Sequence, residues 1–370
     1  MIVTVGSLIG ASLARKFWNR RQCDNPNSST TTPSIPSKSS LEKTLAYAGA
    51  AGSLTGFMNI PIAGPIFALE MTSRKAGFAR SAVDSFSTAI LASLAGIAFV
   101  RGIMLPHVGT GGHFHYVSRA AVGLVTGREM ILVGLGCGLG GAMVGTSFHA
   151  AVRFLKGLIW SKKKDTRTEN AKKCETYLGI LKMTFVALMI GMLSTQYPQT
   201  MFWGEGSLQC MISGQCTPFA ATPHGLPISM MQWAKVNPNI PFTSWFDAMQ
   251  VGMAKFFAIA LACAGMFPGG VIFPLLSNGA GLSRALIDGV TKLVPSVAHS
   301  IVSPMMVMSF MAATLTSITR TPLATCLILS LTASGITPLS VLLPGALLAS
   351  YVSVFVSEKL SKESFFKYSN

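Results

Sequence analysis

The chain has 370 residues, of which 50% are hydrophobic and only 11% charged. With a mean hydropathy of +0.51 it stands far from soluble domains, in which about a quarter of residues are charged; a soluble domain is excluded, and an integral membrane protein with several spans is implied, without distinguishing the plasma membrane from an organelle membrane. The formal net charge of +16 does not signal nucleic acid, because the basic residues lie in short segments between apolar runs and no basic face carries interleaved aromatics.

The sequence opens MIVTVGSLIG, with its first basic residues at Arg15 and Lys16, which is not the pattern of a cleavable secretory signal. A first helical segment is expected at 2–18, followed by a flexible polar loop over 19–43 built on CDNPNSSTTTPSIPSKSS. Apolar helical segments follow at about 44–58, 60–72, 81–104, 128–158 and 177–195. A Pro-rich polar stretch at 214–244 separates these from segments at about 246–265, 271–289, 301–318, 321–333 and 337–357. The window from Ile301 to Thr319 is free of charge, as is the one from Thr321 to Ser357; the second exceeds the roughly 20 residues of one span and is punctuated by Gly335, Pro338, Pro344 and Gly345.

The densest basic run lies between Arg153 and Lys173, which by the positive-inside rule makes that loop cytoplasmic. Counting spans outward puts Thr72 to Arg80 and the C-terminal tail on the same side, and the loops at 19–43 and 214–244 on the other. The seven cysteines are scattered and lack CxxC spacing, so no disulfide framework or zinc site is read; a local Cys210–Cys216 bridge stays open.

Two stretches repeat weakly. NIPIAGPIFALEMTS, Asn59 to Ser73, aligns with TRTPLATCLILSLTAS, Thr319 to Ser334, placing Pro61 on Pro322 and Ala63 on Ala324. Upstream, VGSLIGASLAR aligns with SNGAGLSRAL, placing Gly6 on Gly279. Paired halves of short, Gly/Pro-interrupted apolar segments mark repeat-built transporters and channels, with the site near the midplane.

The sharpest local signal is AGMFPGGVIFPLL, Ala264 to Leu276. Pro268, Gly269 and Gly270 break one helix, and Pro274 sits in the opening turn of the next, where its missing N–H costs nothing. Irregular backbone at membrane depth is tolerated where it is buried in protein or lines a cavity. The amides of Gly270, Val271 and Ile272 are therefore expected to point unpaired from a helix N-terminus, an anion site that needs no Lys or Arg. Partial charges also hold an anion weakly enough to release it. The competing reading is an ordinary Gly/Pro kink in a packed helix.

GGVIFP resembles the GGIFAP motif of the CLC family of chloride channels and chloride/proton exchangers. NIPIAGPIFALEM resembles the family's NAPLAGILFIIEEM, and SITRTPLATCLILSLT its SIRAPLTGIILVLEMT, in the family's order, over Val3 to about Ser364. The resemblance implies an all-α polytopic membrane fold, an inverted repeat of broken, tilted helices with the first repeat truncated. Residues 1–213 then hold the remainder of the first repeat and the start of the second, 214–244 a non-cytoplasmic loop, and 245–370 the rest of the second repeat. It implies chloride as the transported ion, the backbone amides of Val271 and Ile272 as ligands, no further cofactor, and a homodimer in the lipid bilayer with one pore per subunit.

Met1 stands where the family's GREGP motif has just ended, so its gating glutamate has no counterpart; we read the chain as a fragment of a longer member, also without CBS domains. Phe366 is the best match to the tyrosine that caps the inner side of the ion path, with Tyr368 second; phenylalanine has no hydroxyl to donate, so the inner constriction would be apolar. Glu70 falls on the first glutamate of EEM and Met71 on the second, which is the internal proton acceptor of the exchangers. A thioether carries no proton, so Met71 argues for uncoupled anion flow. Neighbours on a helix point about 100° apart, so Glu70 faces another surface, and Arg74 at i+4 offers it an ion pair.

His113 and His115 lack a third metal ligand, Glu205 is read as a helix cap, and the 20 methionines as core filling. No GxSxG or GxxxxGK[ST] motif supports an enzyme. The leading expectation is a passive chloride channel; a chloride/proton antiporter and a non-conducting partner subunit of a dimer are the alternatives.

Overall fold

In the computed structural model the described residues are 2–24, 38–58, 60, 62–73, 85–99, 102, 114–115, 126–160, 169–201, 205–213, 242–267, 269–295, 303–334 and 339–361. They form helices α1 (Ile2–Asp24), α2 (Lys38–Met58), α3 (Ala63–Ser73), α4 (Phe86–Phe99), α5 (Gly127–Ile159) and α6 (Glu169–Gln196). These are followed by α7 (Glu205–Ser213), α8 (Trp245–Ala264), α9 (Ile272–Leu293), α10 (Ser303–Thr319), α11 (Pro322–Thr332) and α12 (Leu339–Leu360). A two-residue parallel ladder pairs Phe114 with Ala333 and His115 with Ser334, and Pro198–Thr200 make one 3₁₀ turn.

The all-α architecture agrees with the expectation, and its boundaries differ where polar residues extend helices. α1 runs to Asp24 rather than 18, and α2 starts at Lys38 rather than 44, which shortens the expected loop. Apolar periodicity is blind to such polar turns, and here Arg15 Nε donates to Glu42 Oε1 at 3.1 Å, tying the two helices together. α6 likewise starts at Glu169 rather than 177. α7, only nine residues long, is not among the expected apolar segments, although the sequence offered Glu205, its first residue, as a helix cap.

Four helices among the described residues are long and apolar enough to cross a membrane: Gly127–Ile159, Tyr177–Gln196, Trp245–Ala264 and Ser340–Leu360. α6 is almost wholly exposed along its span, presenting Leu181, Phe185 and Leu188 outward. Such a face is stable only against hydrocarbon.

The chain divides into two compact units. The first, residues 1–110 and 323–332, holds α1 to α4 and α11. α1 and α2 approach closely at Gly6 and Gly49, where any side chain would run into the facing carbonyl. Tyr47 on α2 donates its hydroxyl to the Pro65 carbonyl of α3 at 2.8 Å, and Thr55 donates to Ser93 Oγ of α4 at 3.0 Å. Tyr47, Ala51, Ala68 and Ala89 form the core there.

The second unit, residues 111–322 and 333–370, holds α5 to α10 and α12. A face of α5 made of Gly134, Gly138, Gly141 and Gly145 packs on Leu348 and Val352 of α12 and on Ala313 and Ser317 of α10. The core joins Cys137, Leu282, Phe310, Ala313 and Ala349. Capping boxes fix two of the long helices, Thr126 with Glu129 at α5 and Ser244 with Asp247 at α8. Cys210 on α7 is disulfide-bonded, while Cys137, Cys263 and Cys326 are in no disulfide.

Candidate functional site

α8 ends in a Schellman motif. Gly265 N–H donates to the Leu261 carbonyl at 2.7 Å, Met266 N–H to Cys263 at 3.2 Å and Phe267 N–H to Ala262 at 3.0 Å. The residue that turns left-handed is Met266, with φ 56°, where glycine is usual. The remaining orphan carbonyl at Ala264 is taken by the Trp160 indole N–H at 2.9 Å. A side chain on Gly265 would meet Phe267 and Val186 of α6, so the end of α8 is fixed from two sides.

The chain is non-helical from Phe267 to Val271 among the described residues, and α9 begins at Ile272. Val271 is the N-cap, its side chain makes no capping bond, and the first turn carries no acid. The Val271 carbonyl accepts from Leu275 N–H at 3.0 Å, closing the first turn. Pro274, the third helical residue, contributes no N–H. No hydrogen bond among the described residues uses the amides of Gly270, Val271 or Ile272. Gly269 and Gly270 are exposed, and a Cβ on either would meet nothing within 4 Å, so the break opens onto free space. A 22-residue helix thus starts uncapped beside an exposed Gly-Gly break, where its dipole is worth roughly half a positive charge. Such a point attracts an anion through N–H groups alone.

Glu70 and Met71 lie on α3, both half-buried. Glu70 turns its carboxylate onto the N-terminus of α11, with Oε1 accepting from Leu323 N–H at 3.0 Å and Oε2 from Ala324 N–H at 2.9 Å. That function was not anticipated, and Arg74, its expected partner, lies outside the described residues. Phe366, Tyr368 and His113 are also outside them, and of Glu205 only its place at the start of α7 is described.

Three polar residues were missed. Lys255 on α8 is 2% exposed and donates from Nζ to the Thr200 carbonyl at 2.7 Å. A single charge inside an apolar span is a functional signal by default, and that signal was present in the sequence. Arg284 on α9 holds the carbonyl end of α7, with Nε to Met211 O at 3.1 Å and Nη2 to Ile212 O at 2.9 Å. Asn278, fully buried on α9, has no hydrogen-bond partner for either side-chain polar atom among the described residues.

Residues 2–354 match the family model described as "Voltage gated chloride channel". The chain is similar to the solved structure of a slow cyanobacterial Cl−/H+ antiporter, with a TM-score of 0.52 and 17% identity, covering 89% of this chain and 64% of that one. It is similar to a CLC-type fluoride/proton antiporter, with a TM-score of 0.59 and 18% identity, covering 98% of this chain and 70% of that one. At these identities the likeness is one of fold, and the chain spans 64% of the length of the first. A search of curated proteins returned no match.

Proposed function

Because the chain belongs to the voltage gated chloride channel family, we propose that it carries chloride or a related anion across a membrane, passively and without coupling to protons. The observation that supports the anion path is the uncapped N-terminus of α9, with the amides of Gly270, Val271 and Ile272 unengaged at an open break. An anion there exchanges part of its hydration shell for N–H groups of partial charge, a trade weak enough to reverse. Phe366, matched to the inner end of the path, offers no hydroxyl. The absence of coupling rests on Met71, because no group there takes up a proton. Glu70 lies beside it, but both of its oxygens are engaged as acceptors from two α11 amides, which makes it a helix cap. A homodimer is part of the same proposal.

The second reading is a proton-coupled exchanger, favoured by the description of both similar structures as proton antiporters. Anion flux into liposomes under an imposed pH gradient separates the two. The expected result is chloride movement down its own gradient with no response to the proton gradient; uphill chloride movement driven by protons would establish the exchanger.

A further inference from the structure

The corner between α5 and α6 carries a cluster that the anion site does not use. Trp160 closes α5, its backbone N–H donating to the Lys156 carbonyl at 2.8 Å. Its ring packs against α6 at Gly179, and Lys182 Nζ stands 5.6 Å from the ring centroid. Lys156 and Arg153 are exposed in the last turns of α5. Between Arg153 and Lys182 the sequence holds nine basic residues, Arg153, Lys156, Lys162, Lys163, Lys164, Arg167, Lys172, Lys173 and Lys182, against Asp165, Glu169 and Glu175.

Large apolar side chains share this corner. Phe154 and Leu158 are each 71% exposed and Tyr177 is 73% exposed. Cations are unstable in hydrocarbon and such apolar side chains are unstable in water, so the corner belongs at the bilayer surface, with the tryptophan at headgroup level. A basic cluster in that position meets the negative potential of anionic lipid.

The same indole also reaches the ion-site turn. Its Nε1–H donates at 2.9 Å to Ala264, the last helical residue of α8, and Val186 of α6 abuts Gly265 beside it. One side chain is therefore shared between the basic corner and the break that launches α9.

We propose that the α5–α6 corner binds the headgroup of an anionic phospholipid through Lys156, Lys182 and the Trp160 indole, and that this lipid steadies the end of α8. The headgroup phosphate accepts from the two ammonium groups, and the acyl chains run along Phe154 and Leu158. With its repulsion from Lys156 screened by the phosphate, the Lys182 ammonium stays over the ring, and the ring holds its bond to Ala264. The inference goes beyond the transport reading and does not need it.

The test places the full chain in phosphatidylcholine nanodiscs doped with acyl-brominated phosphatidylglycerol or, at equal mole fraction, brominated phosphatidylcholine. Trp160 emission is taken as the wild-type signal less that of Trp160→Phe. The expected result is stronger quenching by the anionic lipid, a preference that falls roughly fivefold for each of Lys156→Gln and Lys182→Gln and is unchanged in Lys292→Gln. Equal quenching by the two lipids overturns the proposal, as does a preference that survives both lysine changes. Lipid retained on wild type and on the lysine variants, counted by native mass spectrometry, gives the same answer should Trp160→Phe not fold. For the link to the break, amide exchange across residues 261–272 is expected to slow when phosphatidylglycerol is present, and exchange indifferent to lipid charge overturns that part. These readouts are independent of flux, so a chain that binds the lipid but moves no chloride would sink the transport reading alone.

Discussion

Glu70 closes the N-terminus of a helix that begins more than 250 residues later: its two oxygens accept from Leu323 and Ala324 at 3.0 and 2.9 Å. The helices so joined are the repeat-related pair, α3 and α11, each 11 residues long. Because α11 opens on Pro322, which has no N–H, the carboxylate satisfies two of its three orphan donors and complements the positive end of the dipole. Glu70→Gln keeps one acceptor and loses the charge, so it is expected to cost about 1 kcal/mol. The local measurement is amide exchange at Leu323 and Ala324, which should quicken roughly fivefold. Unchanged exchange would show that the bond contributes nothing.

Among the described residues two non-glycine residues sit in the left-handed region, Met266 with φ 56° and Arg320 with φ 58°. The backbone cost is similar, about 1 kcal/mol for a residue with a Cβ. What the side chains do in return differs. Met266 is 52% exposed, whereas Arg320 is buried and donates from Nη2 to the Ser361 carbonyl at 2.6 Å, joining the ends of α10 and α12. Met266→Gly is therefore expected to stabilise by about 1 kcal/mol. Arg320→Gly, which relieves the same strain, is expected to destabilise by about 2 kcal/mol through the lost buried bond. Thermal unfolding in detergent reads both, and the opposite signs are the result to look for.

What was legible in the sequence follows from how local the cause is. The break at Pro268 to Gly270 and the start of α9 are written in Gly and Pro, whose effects are set within a few residues, and the helix begins at Ile272, within one residue of expectation. The polar ends of α1 and α2 were not legible, because they carry no apolar period; on α2 the added end includes Glu42, which accepts from Arg15 of α1. Met266 gave no sign of a left-handed turn, since the Schellman bonds rather than the residue type impose it. Glu70 raised the right question, but an i+4 basic residue such as Arg74, which lies outside the described residues, is visible in sequence, while an amide 253 positions away is not. Lys255 was overlooked although a lone charge between Met253 and Phe256 was in plain view.

Asn278 is fully buried in α9 with both polar atoms unpartnered among the described residues. Its neighbour Gly279 faces Met311 and Thr314 of α10, and Thr314 Oγ1 is likewise unpartnered. An amide desolvated without partners costs on the order of 1 to 3 kcal/mol. Asn278→Leu, with the same branching and number of side-chain heavy atoms, is expected to recover about 1 kcal/mol in thermal unfolding. A loss of stability instead would mean that water completes the amide's bonds and that the substitution expels it.

The claim that backbone amides hold the anion calls for a change that removes an N–H and nothing else. Side-chain substitution at Ile272 leaves the amide in place, and proline there would disfavour the helical conformation of the residue before it, Val271, whose ψ is −24°. Replacing Ile272 by its α-hydroxy acid turns the amide into an ester, deleting one donor and weakening the Val271 carbonyl as an acceptor while keeping the side chain and the helical path. A hydrogen bond to a charged partner is worth about 1.5 to 3 kcal/mol, so anion affinity should fall by roughly one to two orders of magnitude. Stability should fall only slightly, because the amide has no partner within the protein among the described residues and the ester merely weakens the Val271 carbonyl that accepts from Leu275. The same ester at Leu275, whose amide closes the first turn on the Val271 carbonyl, should do the reverse, lowering stability and leaving affinity nearly untouched. If both esters weaken anion binding equally, the effect comes from loosening the helix start, and the amide of Ile272 is not a ligand.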